Sequence, residues 1–396
     1  MHKYSVATIL LGLSILLFQA YTYSQTTPSD CNTQRKQKTI VVTSKTLDKR
    51  QIGLRIYKPE KCYNGYTLFT HQSLGGPGII FHPIYLIDMK GNIIHQWMTD
   101  ASPIFARLKP DGHLLYTDGE NLRGVDAQSN EIWHYPGCID HAFQFLEDGN
   151  FLIARHEYID GCLRCQDENN NPSGKPRIEI ITRDKKVLWQ WRGEEHVDEL
   201  ERLLGLKIVP IGRWCNNNAC EILKDNHLGK KDARFRKGNI IFSFDALSVI
   251  GVIDYSTGEI LWAWGPGIIQ NQHTPTMLDN GNLLIFDNGS GRHWSRVIEL
   301  NPLTEQIVWE YHTEPKEDFY SHNWSNAQRL ANGNTLICEG IKNRIFEITP
   351  EGEIVWDFIS TFNKTTGGET IYRAYRYSPE YVKPLLEMIR KVREVD

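Results

Sequence analysis

Two histidines occupy the same place in a repeated sequence pattern. His141 and His273 each lie eight residues before a glycine that begins a short apolar run. A neutral imidazole is a nucleophile near neutral pH, and it also serves as a general acid or base. His322 lies three residues before Ser325, which holds the same position in another copy of the pattern. These histidines are therefore candidates for acid–base or nucleophilic chemistry at a shared site.

Arginines near the same repeats could supply positive charge. Arg292 ends a glycine-rich turn, Phe286-Asp-Asn-Gly-Ser-Gly-Arg292. Such a turn can present backbone N–H groups and a guanidinium to an anion. The alternative is a flexible loop with a solvated arginine. Arg296, Arg329 and Arg373 are lesser candidates, because most such arginines form ion pairs at the surface.

The elements that must position these residues repeat along the chain. Each copy begins with a glycine and a short apolar strand, and it continues into a hairpin that ends in an aromatic residue. Alternating apolar residues around polar turns are typical of β-hairpins. The glycines are separated by 47, 37, 89, 43 and 52 residues, and they are Gly65, Gly112, Gly149, Gly238, Gly281 and Gly333.

Four short strands per copy are the unit of a propeller blade, so six copies predict an all-β, six-bladed β-propeller. The first strand of each blade lines the central channel, which would bring His141 and His273 to one axis. The aromatic residues that end the hairpins are expected to pack between blades. They are Trp97, Tyr135, Trp191, Trp264, Tyr311 and Phe358.

The ends of the repeat region predict how the ring closes. Residues 371–377 form a strand-like run that is expected to complete blade one beside the strand after Gly65, so that strands from both ends close the ring. The long spacing predicts an insertion in blade three, about 154–237, with a short helix over 194–204. We divide the chain into a signal peptide (1–24), an N-terminal extension (25–64), a propeller (65–378) and a helical tail (379–396).

The first residues have the pattern of an export signal. A basic start precedes an apolar run from Val6 to Phe18, and small residues Thr22 and Ser24 precede the expected cleavage. The protein is therefore expected to be secreted or periplasmic, or membrane-anchored if the signal is not cleaved. An even count of eight cysteines favours disulfides in that compartment. For Cys162 and Cys165, a structural disulfide is favoured over a redox or zinc pair.

Composition excludes several classes of function. The 44 basic and 48 acidic residues give a formal charge of −4, which argues against a nucleic-acid partner. No apolar run after the first is long enough to span a membrane. Nucleotide-binding and metalloprotease motifs are absent, so we expect no cofactor and no metal. The oligomeric state cannot be read from the sequence.

Several long stretches resemble the arylsulfotransferase family, from about Gly65 to Tyr377. They include DHAFQFLEDGNFLI, GVIDYSTGEILWAWGPG, QHTPTMLDNGNLLIFDNGSGR and FYSHNWSNAQRLANGNTLICEG. The resemblance implies a six-bladed propeller. It also implies transfer of a sulfuryl group from an aryl sulfate to a phenol, through a sulfated histidine and without a nucleotide donor. Phenols and aryl sulfates would be its small-molecule partners.

By motif match, His141, His273 and Arg292 would bind sulfate and move protons. His322 is the first candidate for the nucleophile, and His273 is the next. Asn216 and Arg329 complete the candidate substrate-binding set.

Two positions depart from the family pattern. Asn216 stands where many relatives have a histidine, and Asp245 stands where they often have an arginine. These departures favour the alternative of a non-catalytic propeller that binds a ligand or partner. A quinoprotein dehydrogenase is a further alternative, because residues 252–262 match its tryptophan-docking pattern, although six blades are few for that family.

Overall fold

Short apolar runs joined by tight turns form six sheets, which are the blades of a six-bladed β-propeller. The computed structural model describes residues 39–45, 52–72, 82–157, 175–208, 216–360 and 370–394. The predicted signal peptide, the expected disulfide between Cys162 and Cys165, and two further cysteines, Cys31 and Cys215, lie outside these residues. Within the described ranges, no helix is long and apolar enough to cross a membrane.

The first three blades each contain four antiparallel strands. Blade one consists of β26 (Thr370–Tyr377), β3 (Tyr66–Gln72), β4 (His82–Ile87) and β5 (Ile93–Thr99). Blade two consists of β6 (Phe105–Leu108), β7 (Leu114–Thr117), β8 (Asn121–Val125) and β9 (Glu131–Pro136). Blade three consists of β10 (Ile139–Phe145), β11 (Phe151–Glu157), β12 (Lys175–Ile181) and β13 (Val187–Arg192).

Blade four also consists of four antiparallel strands, which are β14 (Asn217–Ile222), β15 (Ile240–Phe244), β16 (Val249–Ile253) and β17 (Ile260–Trp264).

The last two blades gain a fifth, outer strand from the N-terminal extension. Blade five consists of β18 (His273–Met277), β19 (Leu283–Asp287), β20 (Arg296–Asn301), β21 (Gln306–Glu314) and the parallel strand β1 (Ile40–Lys45). Blade six consists of β22 (Asn326–Arg329), β23 (Thr335–Glu339), β24 (Arg344–Ile348), β25 (Ile354–Ile359) and the antiparallel strand β2 (Gly53–Tyr57).

The C-terminal strand β26 is held from two directions. It pairs antiparallel with β3, where Tyr377 lies opposite Tyr66. On its other side, the side-chain amide of Asn326 donates to the carbonyl oxygen of Ala374 and accepts from its N–H, both at 2.9 Å. Gln328 bonds the backbone of Arg376 in the same way, at 3.0 and 2.8 Å. Two side-chain amides of blade six thus replace a main-chain ladder along this strand.

The described part of the region predicted as an insertion, about 154–237, includes regular strands of two blades. It holds β12 and β13 of blade three and β14 of blade four. The helix expected over 194–204 is α1 (Val197–Leu204), preceded by a turn of 3-10 helix at Gly193–His196. Glu199 of this helix accepts a hydrogen bond from the Ile260 N–H at 2.8 Å, which fixes α1 against blade four. The 89-residue spacing therefore spans strands of two blades and the connection between them.

A C-terminal helix, α2 (Pro379–Arg393), covers part of blades one and two. Ser378 caps it by accepting from the Tyr381 N–H at 3.2 Å, and Pro379 suits the first turn. Leu385 packs beside Leu114 in the same core cluster. At Gly112 the backbone φ is +87°, and a Cβ would lie 2.7 Å from the Leu385 nitrogen. This turn therefore requires glycine for both conformation and space.

Five of the six hairpin-ending aromatic residues are buried as expected, with Tyr135 half-buried. The blades are also joined by indole hydrogen bonds. In five blades, a tryptophan on an outer strand donates its N–H to a carbonyl oxygen in a turn of the next blade. These bonds are Trp97 to Asp126 (3.0 Å), Trp133 to Arg183 (2.7 Å), Trp191 to Gly258 (2.9 Å), Trp309 to Pro350 (3.2 Å) and Trp356 to Met89 (2.8 Å).

Four cysteines lie in the described ranges, and they are Cys62, Cys138, Cys220 and Cys338. Cys62 and Cys338 have free thiols, Cys138 is disulfide-bonded, and no disulfide joins two of these four. Burial raises the pKa of the Cys62 thiol to about 11 and that of Cys338 further still, so both stay protonated at neutral pH. Any disulfide in this protein must therefore use a cysteine outside the described ranges.

We expect Trp356→Phe to destabilise the protein more than Trp262→Phe, by about 1–3 kcal/mol in the free energy of unfolding. The first change leaves the buried Met89 carbonyl oxygen without its donor. Trp262 is also buried, but its N–H has no hydrogen-bond partner, so it controls for the loss of indole volume. Denaturant titration of both variants measures the difference. Equal losses would show that the inter-blade hydrogen bond contributes nothing.

Candidate active site

His273 has an imidazole whose proton position is determined by its neighbours. It begins β18 and is 2% exposed. Its Nδ1 lies 3.0 Å from the Asn271 carbonyl oxygen and 2.8 Å from Asn288 Oδ1. Asn288 donates its own amide N–H groups to the carbonyl oxygens of Ser321 and Trp324, at 2.7 and 3.0 Å, so its oxygen faces the ring. Since both neighbours of Nδ1 are acceptors, the proton resides on Nδ1, and Nε2 carries the lone pair.

The surroundings of His273 also keep it neutral. Burial lowers its pKa to about 3, and the positive charge of Arg373 acts in the same direction. The hydrogen bonds to Asn288 and Asn271 oppose this shift only in part. A neutral imidazole with a free lone pair at Nε2 is the form that attacks an electrophile. No described residue forms a hydrogen bond with Nε2.

Tyr372 brings the two equivalent histidines together. Its buried ring stacks on His141 with a centroid distance of 5.4 Å, and it meets His273 edge-on at 6.5 Å. His141 also contributes to lowering the pKa of His273. The first strands of blades three and five therefore bring His141 and His273 to the same aromatic ring, which β26 of blade one supplies.

Arg373, the next residue of β26, is part of the same site. It is 3% exposed, and it donates to the carbonyl oxygens of His141 and Asn218 at 2.8 and 2.5 Å. Sequence reasoning placed this arginine at the surface in an ion pair, and that expectation is wrong. In the described part of the chain it meets no carboxylate, and its Nε has no hydrogen-bond partner. One feature of the sequence could have indicated its place in the site, because Arg373 lies on the strand predicted to complete blade one.

The backbone around His273 has an unusual conformation. Four non-glycine residues have positive φ angles: Asn271 (52°), Thr274 (48°), Trp324 (61°) and Ser325 (82°). This region is costly for a side chain with a Cβ, and most of all for β-branched threonine. Such conformations persist where the surrounding structure enforces them, and they cluster at functional sites.

His322, the first candidate for the nucleophile, lies at the rim of the site. Its side chain is exposed, and its ring lies 6.0 Å from that of Tyr320. Tyr320 also contacts the ring of His293 at 6.0 Å. None of these contacts orients the His322 imidazole by a hydrogen bond. The rim is therefore aromatic and open, which suits contact with an aryl group.

Arg292 is occupied within its own loop. It forms an ion pair with Asp287 at 2.9 Å, and its Nε donates to the Trp294 carbonyl oxygen. The backbone N–H groups of Gly291 and Arg292 both donate to Gln270 Oε1 at 3.0 Å. The loop does form a concave set of donors, but the side chain of Gln270 already occupies it.

Arg329 and Asn216 also have partners within the protein. Arg329 pairs with Glu299 at 2.8 Å, at the end of β22 that lies away from Ser325. Asn216 donates from Nδ2 to Asp245 Oδ1 at 2.9 Å. The two positions that depart from the family pattern are therefore in direct contact.

A second polar cluster lies on the inner strands beyond Arg373. The guanidinium of Arg107 lies 3.3 Å above the ring centre of Tyr375, whose buried hydroxyl has no hydrogen-bond partner. Glu221 on β14 interacts electrostatically with Arg107. Burial raises the pKa of Glu221 to about 7, and the positive charges of Lys224 and Arg107 offset this only in part.

The raised pKa of Glu221 predicts a pH-dependent stability. The folded state keeps the Glu221 proton to a higher pH than the unfolded chain does. The stability that this carboxyl contributes is therefore fully present below pH 4.5 and is lost as the pH rises through about 7. Glu221→Gln should therefore stabilise the protein more at pH 8 than at pH 5, by about 1–3 kcal/mol in the free energy of unfolding. Denaturant titrations at both pH values measure the difference.

Glu353→Gln is the matched control. The carboxylate of Glu353 accepts hydrogen bonds from Lys58 and Lys61, and these bonds lower its pKa to about 2. Because it stays ionised in the folded protein from pH 5 to 8, its contribution to the free energy of unfolding changes little over that range. A Glu221→Gln effect that is the same at both pH values would contradict the prediction.

Comparisons with known proteins agree with the family suggested by the motifs. A family model described as arylsulfotransferase (ASST) matches residues 107–361. Arylsulfate sulfotransferase AssT of Escherichia coli O6:H1 is 36% identical over 91 residues, which cover 19% of this chain and 15% of that enzyme. The dehydrogenase subunit of a quinone-dependent alcohol dehydrogenase from Gluconobacter oxydans is 26% identical over 157 residues, 36% of this chain and 19% of the subunit.

The chain thus spans less than a fifth of the length of these curated relatives. Among solved structures, a protein of unknown function from Bacteroides caccae superposes with a TM-score of 0.53 at 17% identity, covering 79% of this chain and 99% of that one. That likeness concerns the fold alone. Because the family model covers well over half of the sequence, this protein belongs to the arylsulfotransferase family.

Proposed function

We propose that the protein transfers a sulfuryl group from an aryl sulfate to a phenol, without a nucleotide donor, and that Nε2 of His273 is the nucleophile. One observation carries the proposal. A buried, neutral imidazole with its proton held on Nδ1 lies in the field of Arg373, a cation that has no acidic partner in the part of the chain that the structure describes. Family membership supports the reaction class, and the residues support its location.

The first half-reaction would form a sulfated histidine. The Nε2 lone pair attacks the sulfur atom, and the bond from sulfur to the aryl oxygen breaks with its electron pair on that oxygen. His141 donates a proton to the departing phenolate. The proton on Nδ1 stays in its hydrogen bond to Asn288, so the positive charge that develops on the ring is stabilised as the bond forms.

The second half-reaction would reverse these roles. A phenol enters, His141 accepts its proton, and the phenol oxygen attacks sulfur while the bond between sulfur and Nε2 breaks. Sulfuryl transfer resembles phosphoryl transfer in its loose transition state, with charge on the outer oxygens. Fixed positive charge is therefore the main aid the protein can give, and Arg373 supplies it within the site.

His273 is a better candidate for the nucleophile than His322 on structural grounds. A catalytic imidazole must be held in one tautomer and one orientation, and two acceptors do this for His273. His322 is exposed and has only a ring contact. We assign His322 to the rim, where it would contact the aryl group of a substrate.

A ligand-binding propeller without catalysis is the second candidate. The hydrogen bond from Asn216 to Asp245 favours it, because it replaces two groups that would carry or stabilise charge in relatives. Such a protein would bind an aryl sulfate without forming a covalent adduct.

Two further proposals concern the location of the protein and the closure of its propeller. The N-terminal pattern in residues 1–24 supports export, so we propose a secreted or periplasmic location. We also propose that the pairing of β26 with β3 closes the propeller ring.

A covalent adduct is the direct test of the nucleophile. Incubation of the protein with 4-nitrophenyl sulfate should release nitrophenol and add the mass of one SO₃ group. His273→Ala should abolish the adduct and lower turnover on the order of 10³-fold, because no other group forms the intermediate. His322→Ala, the matched control, should keep the adduct and most of the rate. An adduct that survives in His273→Ala but disappears in His322→Ala would reverse the assignment.

The lowered pKa of His273 predicts the pH dependence of adduct formation. Protonation would remove the Nε2 lone pair, but the shift means that this occurs near pH 3 rather than near 6.5. The rate of adduct formation from a donor with an acidic phenol, such as 4-nitrophenyl sulfate, should therefore show no loss centred near pH 6.5. Rapid-quench mass spectrometry from pH 4.5 to 8 measures it. A loss with its midpoint near 6.5 would mean that the nucleophile is an ordinary, solvated histidine.

A further inference from the structure

Arg373 differs from every other buried arginine of the described residues. The other three each pair with carboxylates: Arg177 with Glu194, Arg344 with Asp357 and Glu339, and Arg376 with Glu347. Arg373 has only carbonyl oxygens as acceptors. An uncompensated buried charge is costly, so an anion that completes the arrangement would be bound favourably.

The position of Arg373 places its charge inside the site. The residue belongs to β26 of blade one, but its guanidinium reaches carbonyl oxygens on blades three and four. It also lies 4.8 and 4.9 Å from the ring centres of Phe105 and Tyr372. These contacts hold the cation in one place, close enough to lower the pKa of His273.

The two arginines of the neighbouring loop are balanced by carboxylates. Arg292 and Arg296 share Asp287, and Arg296 also meets Glu310. Arg373, which holds the His141 carbonyl oxygen, is by contrast a buried cation that no carboxylate of the described residues pairs.

We propose that Arg373 is the specificity-determining cation of the His273 site and restricts it to singly charged oxyanion esters. A sulfate monoester, with one negative charge, matches the single guanidinium. A phosphate monoester at neutral pH carries close to two charges, and its second charge has no partner. This inference rests on the proposed function for the identity of the site, but it concerns binding rather than transfer.

The two ligands differ in how they titrate, which allows a test on the unmodified protein. Phenyl sulfate keeps one negative charge from pH 5 to 8, whereas phenyl phosphate changes from one charge to nearly two as the pH passes about 6. Titration calorimetry with each ligand at pH 5 and 8 should show phenyl phosphate binding at least about tenfold more tightly at pH 5. Phenyl sulfate should change less than about threefold.

Phenyl sulfate also controls for the protein groups that face the site. These groups are His141, His273, His293 and His322, with the carboxylates of Asp245 and Glu221. Any titration of these groups between pH 5 and 8 would change the affinity for phenyl sulfate as well as the affinity for phenyl phosphate. Equal affinity for the two ligands at pH 8, or parallel changes with pH, would overturn the inference.

Variants of Arg373 test whether this residue causes the selectivity. Arg373→Met should weaken phenyl sulfate binding at least about tenfold, and Arg373→Lys, which keeps the charge, should keep the preference for the monoanion. Arg329→Met is the matched control, because it removes a partly buried arginine that pairs with Glu299. Unchanged binding by a folded Arg373→Met protein, checked by circular dichroism, would overturn the assignment. If that variant does not fold, the ligand comparison on the unmodified protein still decides.

The outcome also separates this inference from the proposed reaction. Monoanion selectivity without any adduct would support the inference and count against sulfuryl transfer. Adduct formation with equal affinity for both esters would support the reaction and overturn the inference.

Discussion

The pairing of the C-terminal strand β26 with β3 is the contact on which the site depends. It joins strands that are about three hundred residues apart in the chain, with Tyr377 opposite Tyr66. The same strand carries Tyr372 and Arg373, which touch residues of blades three and four. Blade six secures it further with the side-chain amides of Asn326 and Gln328. Two of the groups beside His273 are thus positioned by the C-terminal strand of the propeller.

Charge is distributed unevenly through the molecule. In the blades, buried carboxylates and guanidiniums form multiple pairs, such as Asp357 with Arg55 and Arg344. Beside His273 the pattern is different, because no carboxylate of the described residues pairs with Arg373, and His273 is neutral. Paired charges rigidify the scaffold, whereas an unpaired charge leaves attraction for an external anion. This contrast marks the site independently of any sequence motif.

The two positions expected to depart from the family pattern are in contact. Asn216 and Asp245 lie on separate segments of blade four and form a direct hydrogen bond. They form a compatible polar pair, and the positive charge that acts on His273 comes from Arg373 on blade one.

The sequence by itself determined the six-fold repeat, the β class and the convergence of His141 with His273. These follow from local patterns, namely glycine turns and alternating apolar residues, because each blade is a local unit of four short strands. The helix near residues 194–204 was predicted for the same reason. The N-terminal strands β1 and β2 were missed, since their partners on blades five and six are distant in sequence.

Only the tertiary structure decided which residues act together at the axis. Arg292 and Arg329 matched the chemistry expected of an anion site, but Asp287 and Glu299 neutralise them. Arg373 was a lesser candidate, expected in a surface ion pair, yet it is buried and pairs with no carboxylate of the described residues. His322 and His273 were both candidates for the nucleophile, and burial and the acceptors around Nδ1 distinguish His273. Burial, charge pairing and tautomer depend on contacts between blades, and these contacts are not encoded in any local stretch of the chain.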